Sequence, residues 1–435
     1  MFSFLQREIP SVGRVLYPGS IPPSLDHLAG LGPPVTVKRG TPASTQLWSI
    51  EAAHPLWGTA EIACDRAPAP LPDVLIDHTL ALTDAEKARA RLGVSTVAVR
   101  VHARQKHVLK DRKRLLFWLR ALMQPDGVLA VDGTSMLLWS SAMLEDELAH
   151  DAPLDIEGLY TIHAVLDDGG AKRDAWLHTH GLEEIGAFDI DVLSPSSLVA
   201  SNPADPFRAL AFAALEGAIS PDTDRFALAH PRGDVRLVSA RRFQTDAAPE
   251  HQKLRSDDPG HSGRRAVVCE PVGGLFGRWR TRPSPSRFIS RVEDGVTFPF
   301  STAATELTAE RAGQTIGVLR SLKTEFESLE LPVLVKLGYD TEGGGPGSRE
   351  HLWFQVHGIG EGSVDATLVN APHYVPSLKM GQRAEFDLGR LTDWAIMSPT
   401  GQMTPRNISA ARRLREELPK WQALLDSAQR QPPTS

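Results

Sequence analysis

Two cysteines, Cys64 and Cys269, are the only thiols in 435 residues, and neither has a second cysteine or a ligand-spaced histidine beside it. A disulfide framework and a zinc knuckle are excluded, which fits a reducing compartment. A formal charge of −6, from 47 Lys plus Arg against 53 Asp plus Glu, offers no general attraction for a phosphate backbone or an anionic bilayer. Apolar stretches such as 115–119 stop far short of the roughly 20 residues that span a membrane. The start of the chain meets charge at Arg7 before a continuous apolar core forms, so no export signal is read there. Nucleophile and phosphate signatures are missing as well: there is no Gly-x-Ser-x-Gly, His-Glu-x-x-His or P-loop. The run Gly358-Ile359-Gly360-Glu361-Gly362 opens no helix and misses the third glycine of a nucleotide fingerprint. The expectation is a cytoplasmic protein whose partners include neither nucleic acid nor membrane.

With 41% hydrophobic residues the chain can fill two or three cores, since a single core rarely grows past about 250 residues. Pro10, Pro18, Pro22, Pro23, Pro33 and Pro34 argue against a long helix or a central strand, so 1–44 reads as a proline-rich arm. Segment 45–244 reads as an α+β domain. It opens with two short strands around Trp48 and Trp57, then alternates β and α signals from a β-branched run at 94–101. Over 108–123, Leu115, Leu116, Leu119, Leu122 and Met123 share one side of a helix opposite Lys110, Arg114 and Arg120. A strand at 128–131, a helix at 143–148, a hairpin within 158–181 and a helix over 206–219 follow. Segment 245–295 has Asp, Pro, Gly, Ser and Arg without an apolar period, and reads as a linker or irregular segment.

In 296–435, apolar spacing predicts a helix over 305–331 and a charged helix over 407–425. Between them lie five β segments, near 332–339, 350–358, 363–370, 381–388 and 394–398, separated by glycine- and proline-rich turns. Strands so short and regularly spaced predict a small antiparallel β barrel-like module. The fold class is therefore α+β: a mixed sheet-and-helix N-terminal region followed by that module. Glu350-His351-Leu352-Trp353, Asn370-Ala371-Pro372, Gly381 and Asp393-Trp394 resemble the YegJ-like bacterial domain of unknown function over 332–402. The resemblance implies a helix plus YegJ-like β module and brings no activity with it. Trp353 and Trp394 read either as core aromatics or, with Glu350, His351 and Asn370, as the rim of a binding site.

The sharpest chemical candidate is the hairpin. If its turn is centred on 168–173, Leu166 pairs with Ala175 and His163 falls across from His178, with His180 two residues on and on the same face. Three imidazoles then converge, and His-x-His on a strand is ligand spacing for a divalent metal. Ordinary polar surface would carry the same pattern, and one residue of slip would turn His163 away. The following His178-Thr179-His180-Gly181-Leu182 is similar to a pattern in uncharacterised bacterial families, some of them linked to toxin-immunity loci. Gly181 and Gly186 allow sharp turns, while Glu183, Glu184, Asp189 and Asp191 read most cheaply as surface charge. Arg278, Arg280, Arg282, Arg287 and Arg291 flank Trp279 and Phe288 and read as a solvated linker more readily than a nucleic-acid grip. The leading reading is an interaction module that binds another protein; the alternative is a metal-dependent hydrolase using His163, His178 and His180.

Overall fold

The structure is a computed structural model that describes residues 8–19, 24–30, 35–67, 69–166, 175–196, 199, 204–229, 233–256, 261, 263–272, 282–291, 302–342 and 349–430. Strands β1 (Glu8–Pro18), β2 (Thr36–Arg39), β3 (Gln46–His54), β4 (Gly58–Asp65), β5 (Gly93–Arg104), β6 (Leu129–Asp132) and β7 (Leu138–Trp139) form an antiparallel seven-stranded sheet in the order β2-β3-β4-β5-β1-β6-β7. β1 corrects the reading of 1–44 as an arm, because it lies inside the sheet between β5 and β6. Its prolines are tolerated because β6 pairs only with Gly13 to Leu16, which leaves Pro10 and Pro18 near the strand ends, where no second ladder needs their N–H.

The helix expected over 108–123 is divided into Val108–Asp111 and Lys113–Leu122, with Arg112 between them turned inward. Its guanidinium pairs with Asp132 and donates to Ser11 Oγ at 3.4 Å and Thr134 Oγ1 at 3.1 Å, tying the helix to β1 and β6. Leu115, Leu116, Leu119, Leu122 and Met123 are buried, as their helical spacing predicts, and Trp118 is buried beside them.

The second sheet contains β8 (Thr161–Leu166), β9 (Ala175–His180), β10 (Asp189–Leu193), β11 (Phe226–Ala227), β12 (Asp234–Ser239) and β13 (Arg265–Cys269), in the order β11-β12-β13-β10-β9-β8. β10 and β13 pair in parallel, and the long crossover between them carries the Ala204–Leu215 helix. One face, with Leu177, Ile190, Val192, Leu237 and Val268, shares a core with that helix and the first sheet. The other face carries Trp176, Leu193, Val238, Val267 and Cys269 beneath Phe243 of the Ala240–Asp246 helix. The linker reading of 245–295 is therefore corrected. Its run Arg265-Ala266-Val267-Val268-Cys269 is an interior strand, five apolar-dominated residues hidden among charge and glycine.

The third sheet holds β14 (Val333–Asp340), β15 (Arg349–Ile359), β16 (Ser363–Leu368), β17 (Arg383–Asp387), β18 (Leu391–Ser398) and β19 (Gly401–Met403), all antiparallel in the order β17-β16-β15-β14-β18-β19. Among the described residues β17 and β19 do not pair, so the sheet is open and not barrel-like. Closure is unnecessary because helices cover the apolar face. Ala312, Leu319 and Leu322 of the Thr302–Gln314 and Ile316–Glu325 helices, with Ala411 and Leu414 of the Ser409–Arg430 helix, pack on Val335, Leu352, Phe354 and Trp394. The single helix expected over 305–331 breaks at Thr315. There its hydroxyl donates to Arg311 O at 2.8 Å and accepts from Trp394 Nε1 at 2.9 Å. No helix among the described residues is long and apolar enough to cross a membrane.

No strand of the third sheet pairs with the other two among the described residues, yet side chains join the regions firmly. Arg311, 3% exposed, makes two bonds to Glu147 and donates to Pro405 O at 3.1 Å and Pro153 O at 3.2 Å. Gln314 Oε1 accepts from Asp151 N at 2.8 Å and Ala152 N at 2.9 Å, and Glu416 accepts from the amides of Asp84 and Ala85. Arg311→Ala strands the Glu147 carboxylate in the interior and is expected to cost about 3–5 kcal/mol in urea unfolding. Combining Arg311→Met with Glu147→Leu should recover most of that loss; a double variant as weak as the single one would contradict this account.

Burial beside Lys336 and Arg349 lowers the His351 imidazole from 6.5 to about 4. Unfolded, this ring takes a proton near pH 6.5; folded, it resists until about 4, so stability falls as pH drops across that window. Melting curves of His351→Asn should show a shallower decline than the parent between pH 6.5 and 4, and parallel declines would refute it.

Candidate functional site

The hairpin pairs Leu166 with Ala175 and His163 with His178, the register that a turn over 168–173 requires; those turn residues lie outside the described ones. His163 is exposed on the edge strand β8, His180 is half-buried and His178 is 2% exposed. One ligand nitrogen from each of these three rings lies within 4.8 Å of the others. Ring centroids are 5.6 Å apart for His163 and His178, 4.7 Å for His163 and His180, and 4.9 Å for His178 and His180.

A fourth imidazole completes the group. His261 places Nε2 at 3.1 Å from His178 Nε2, with centroids 4.7 Å from His178 and 5.2 Å from His180. It lies inside the segment 245–295 taken as a linker, where nothing local marks it; its partners are 81–98 positions away in the chain. Trp176 floors the group, 4.2 Å from the His178 ring and 4.7 Å from His261. Burial, with His180 next, drives the His178 imidazole down to about 2, and burial with His261 lowers His163. Both rings are neutral at ordinary pH, the form that ligates metals.

Asp189 and Asp191 are not the surface acids that sequence suggests. Asp191 is wholly buried and accepts from Arg265 Nη1 at 2.6 Å, Trp176 Nε1 at 3.2 Å and Arg255 Nε at 3.3 Å. Asp189 accepts from Thr179 Oγ1 at 2.8 Å and Leu182 N at 3.2 Å, and burial raises its carboxyl to about 6 against the pull of Arg265. The cue in the sequence is Asp189-Ile190-Asp191-Val192-Leu193, acids inside a run otherwise apolar. Two guanidiniums and two carboxylates thus share this interior, and Glu183 and Glu184 are the exposed pair. Gly181 and Gly186 have φ of +119° and +89°; a Cβ at the first would sit 2.5 Å from Leu159 O.

The candidate rim on the third sheet separates into two faces. Trp394 is fully buried under the helices, so it is a core residue and not part of a rim. Trp353 is half-buried on the opposite face with Lys336 Nζ 5.3 Å from its ring, and His351 Nδ1 lies 3.1 Å from Thr392 Oγ1. Glu350 and Asn370 are occupied as local staples: Glu350 accepts from His373 N and Tyr374 N at 2.7 and 2.8 Å, and Asn370 Oδ1 accepts from Trp353 N at 2.8 Å. Arg278, Trp279 and Arg280 lie outside the described residues, and Phe288 packs on the main core.

Residues 162–262 match a family described as protein of unknown function (DUF4026) C-terminal, and residues 318–410 match an uncharacterized protein conserved in bacteria (DUF2314). Both segments are thus similar to domains of unknown function, and the first contains all four histidines. No curated protein and no solved structure matches the chain. Asp191→Asn should leave two buried arginines short of charge and cost about 3 kcal/mol or more by chemical denaturation, whereas Glu184→Gln should stay within about 0.5 kcal/mol. Equal effects would overturn the placement of Asp191 at the centre of the network.

Proposed function

We propose that this protein binds a divalent transition metal of the zinc class through His163, His178 and His180. The observation that carries the reading is three neutral-capable imidazoles whose ligand nitrogens lie within 4.8 Å of one another. Borderline cations prefer such nitrogen donors, and small side-chain rotations bring nitrogens to the about 2.0–2.1 Å that zinc requires. Three protein ligands leave a fourth position, and water there is the arrangement of a metal-dependent hydrolase. Partner-protein recognition by a YegJ-like C-terminal module has less support, because Trp394 is in the core and Glu350 and Asn370 are engaged by backbone amides, which leaves His351 and Trp353.

Chelator-treated protein titrated with Zn²⁺ in a calorimeter should bind one equivalent. At a free concentration about a hundred times Kd the metal should add about 2.7 kcal/mol of stability. His178→Ala with His180→Ala should abolish both signals, and wild-type protein without a stoichiometric site would end the proposal.

A further inference from the structure

Resting on that metal reading, we infer that His261 is the fourth ligand, so that the site closes on the ion with four imidazoles and carries no bound water. Metal–nitrogen bonds of about 2.0–2.1 Å put tetrahedral ligand nitrogens about 3.3 Å apart, and with the ring's own radius of roughly 1.2 Å they put ring centroids about 5.2 Å apart. His178 Nε2 and His261 Nε2 already stand 3.1 Å apart. Five of the six ring pairs among His163, His178, His180 and His261 run from 4.7 to 5.6 Å, near that value; the sixth, His163 with His261, is not in ring contact, so these two side chains must turn toward each other to close on an ion. Two imidazole Nε2 atoms facing each other share one proton at best, whereas an ion between them uses both lone pairs.

The ligands also come from two separate parts of the chain. Three stand on one hairpin, and the fourth follows the Pro249–Gln252 helix. Arg255, six residues before His261, fixes that approach: its guanidinium bonds Asp191 under the same sheet face and donates Nη2 to His261 O at 3.2 Å. Asp189 and Asp191 pair with Arg255 and Arg265, the guanidiniums under this face, although Arg265 still bears on the His163 and His178 rings. A filled shell makes the resident metal a tie between sheet and overlying chain. Hydrolytic chemistry would require His261 to leave.

The test reconstitutes chelator-treated full-length protein with one equivalent of Co²⁺. X-ray absorption should count four imidazoles in the wild type, with visible bands that do not change with pH. His261→Ala should retain Co²⁺ with at least about tenfold weaker binding, count three imidazoles and show a spectral transition near pH 7 from the water it admits. Three imidazoles plus oxygen in the wild type, or identical spectra for both proteins, would overturn the role of His261 while leaving the three-histidine site standing. Failure of the wild type to take up Co²⁺ would instead remove the metal reading itself. If His261→Ala does not fold, the wild-type count decides alone.

Discussion

A carboxylate out of reach of water organises the middle of this molecule. Asp191 stands on β10 and is held by Arg265 from the neighbouring strand, by Arg255 from the chain that passes over the sheet and by the indole of Trp176. A buried charge is tolerable only when its partners are fixed, so this one group sets the relation of β9, β10, β13 and the overlying segment. The histidines inherit their positions from it. Trp176 supports two of their rings, and Arg255 leads directly to the chain that carries His261.

The same device recurs across a chain without disulfide cross-links. Arg112 with Asp132, Arg208 with Asp155 and Arg311 with Glu147 join residues 20, 53 and 164 positions apart, all deep in the fold. Each pair is a poor source of net stability but a severe penalty for misplacement, since either partner left alone in the interior costs several kcal/mol. The acidic net charge therefore says little about where the arginines act. Arg112, Arg208, Arg236, Arg255, Arg265 and Arg311 are buried, whereas Arg282, Arg287 and Arg291 of the basic cluster are exposed.

Features set by local rules were legible in the sequence. The hairpin register followed from turn length and period-two alternation, and that alone placed His163 opposite His178. The five C-terminal β segments were legible through their turn residues. Their openness was not, because whether a sheet closes depends on what covers its apolar face, and here helices from both sides of the sequence do so. Trp394 was ambiguous for a related reason: a tryptophan beside an acid looks the same at a rim as under a helix, and only the break at Thr315 gives its indole an internal acceptor. β13 and His261 were hidden by composition. A five-residue strand among arginine, glycine and proline has too little pattern to stand out, and the contact of His261 with a hairpin more than eighty residues away leaves no local trace.

The position of β1 bears on how the polypeptide reaches its native state. This strand is made before both of its neighbours, β5 and β6, whose last residues are Arg104 and Asp132. The chain must be made as far as Arg104, 86 residues past Pro18, before Glu8–Pro18 can complete its first ladder, so an apolar segment waits unpaired meanwhile. Its terminal prolines suit that interval, because a strand with blocked N–H positions near its ends is a poor template for pairing with another copy of itself. Trimming these residues as if they were an appendage would cut the first sheet through its middle.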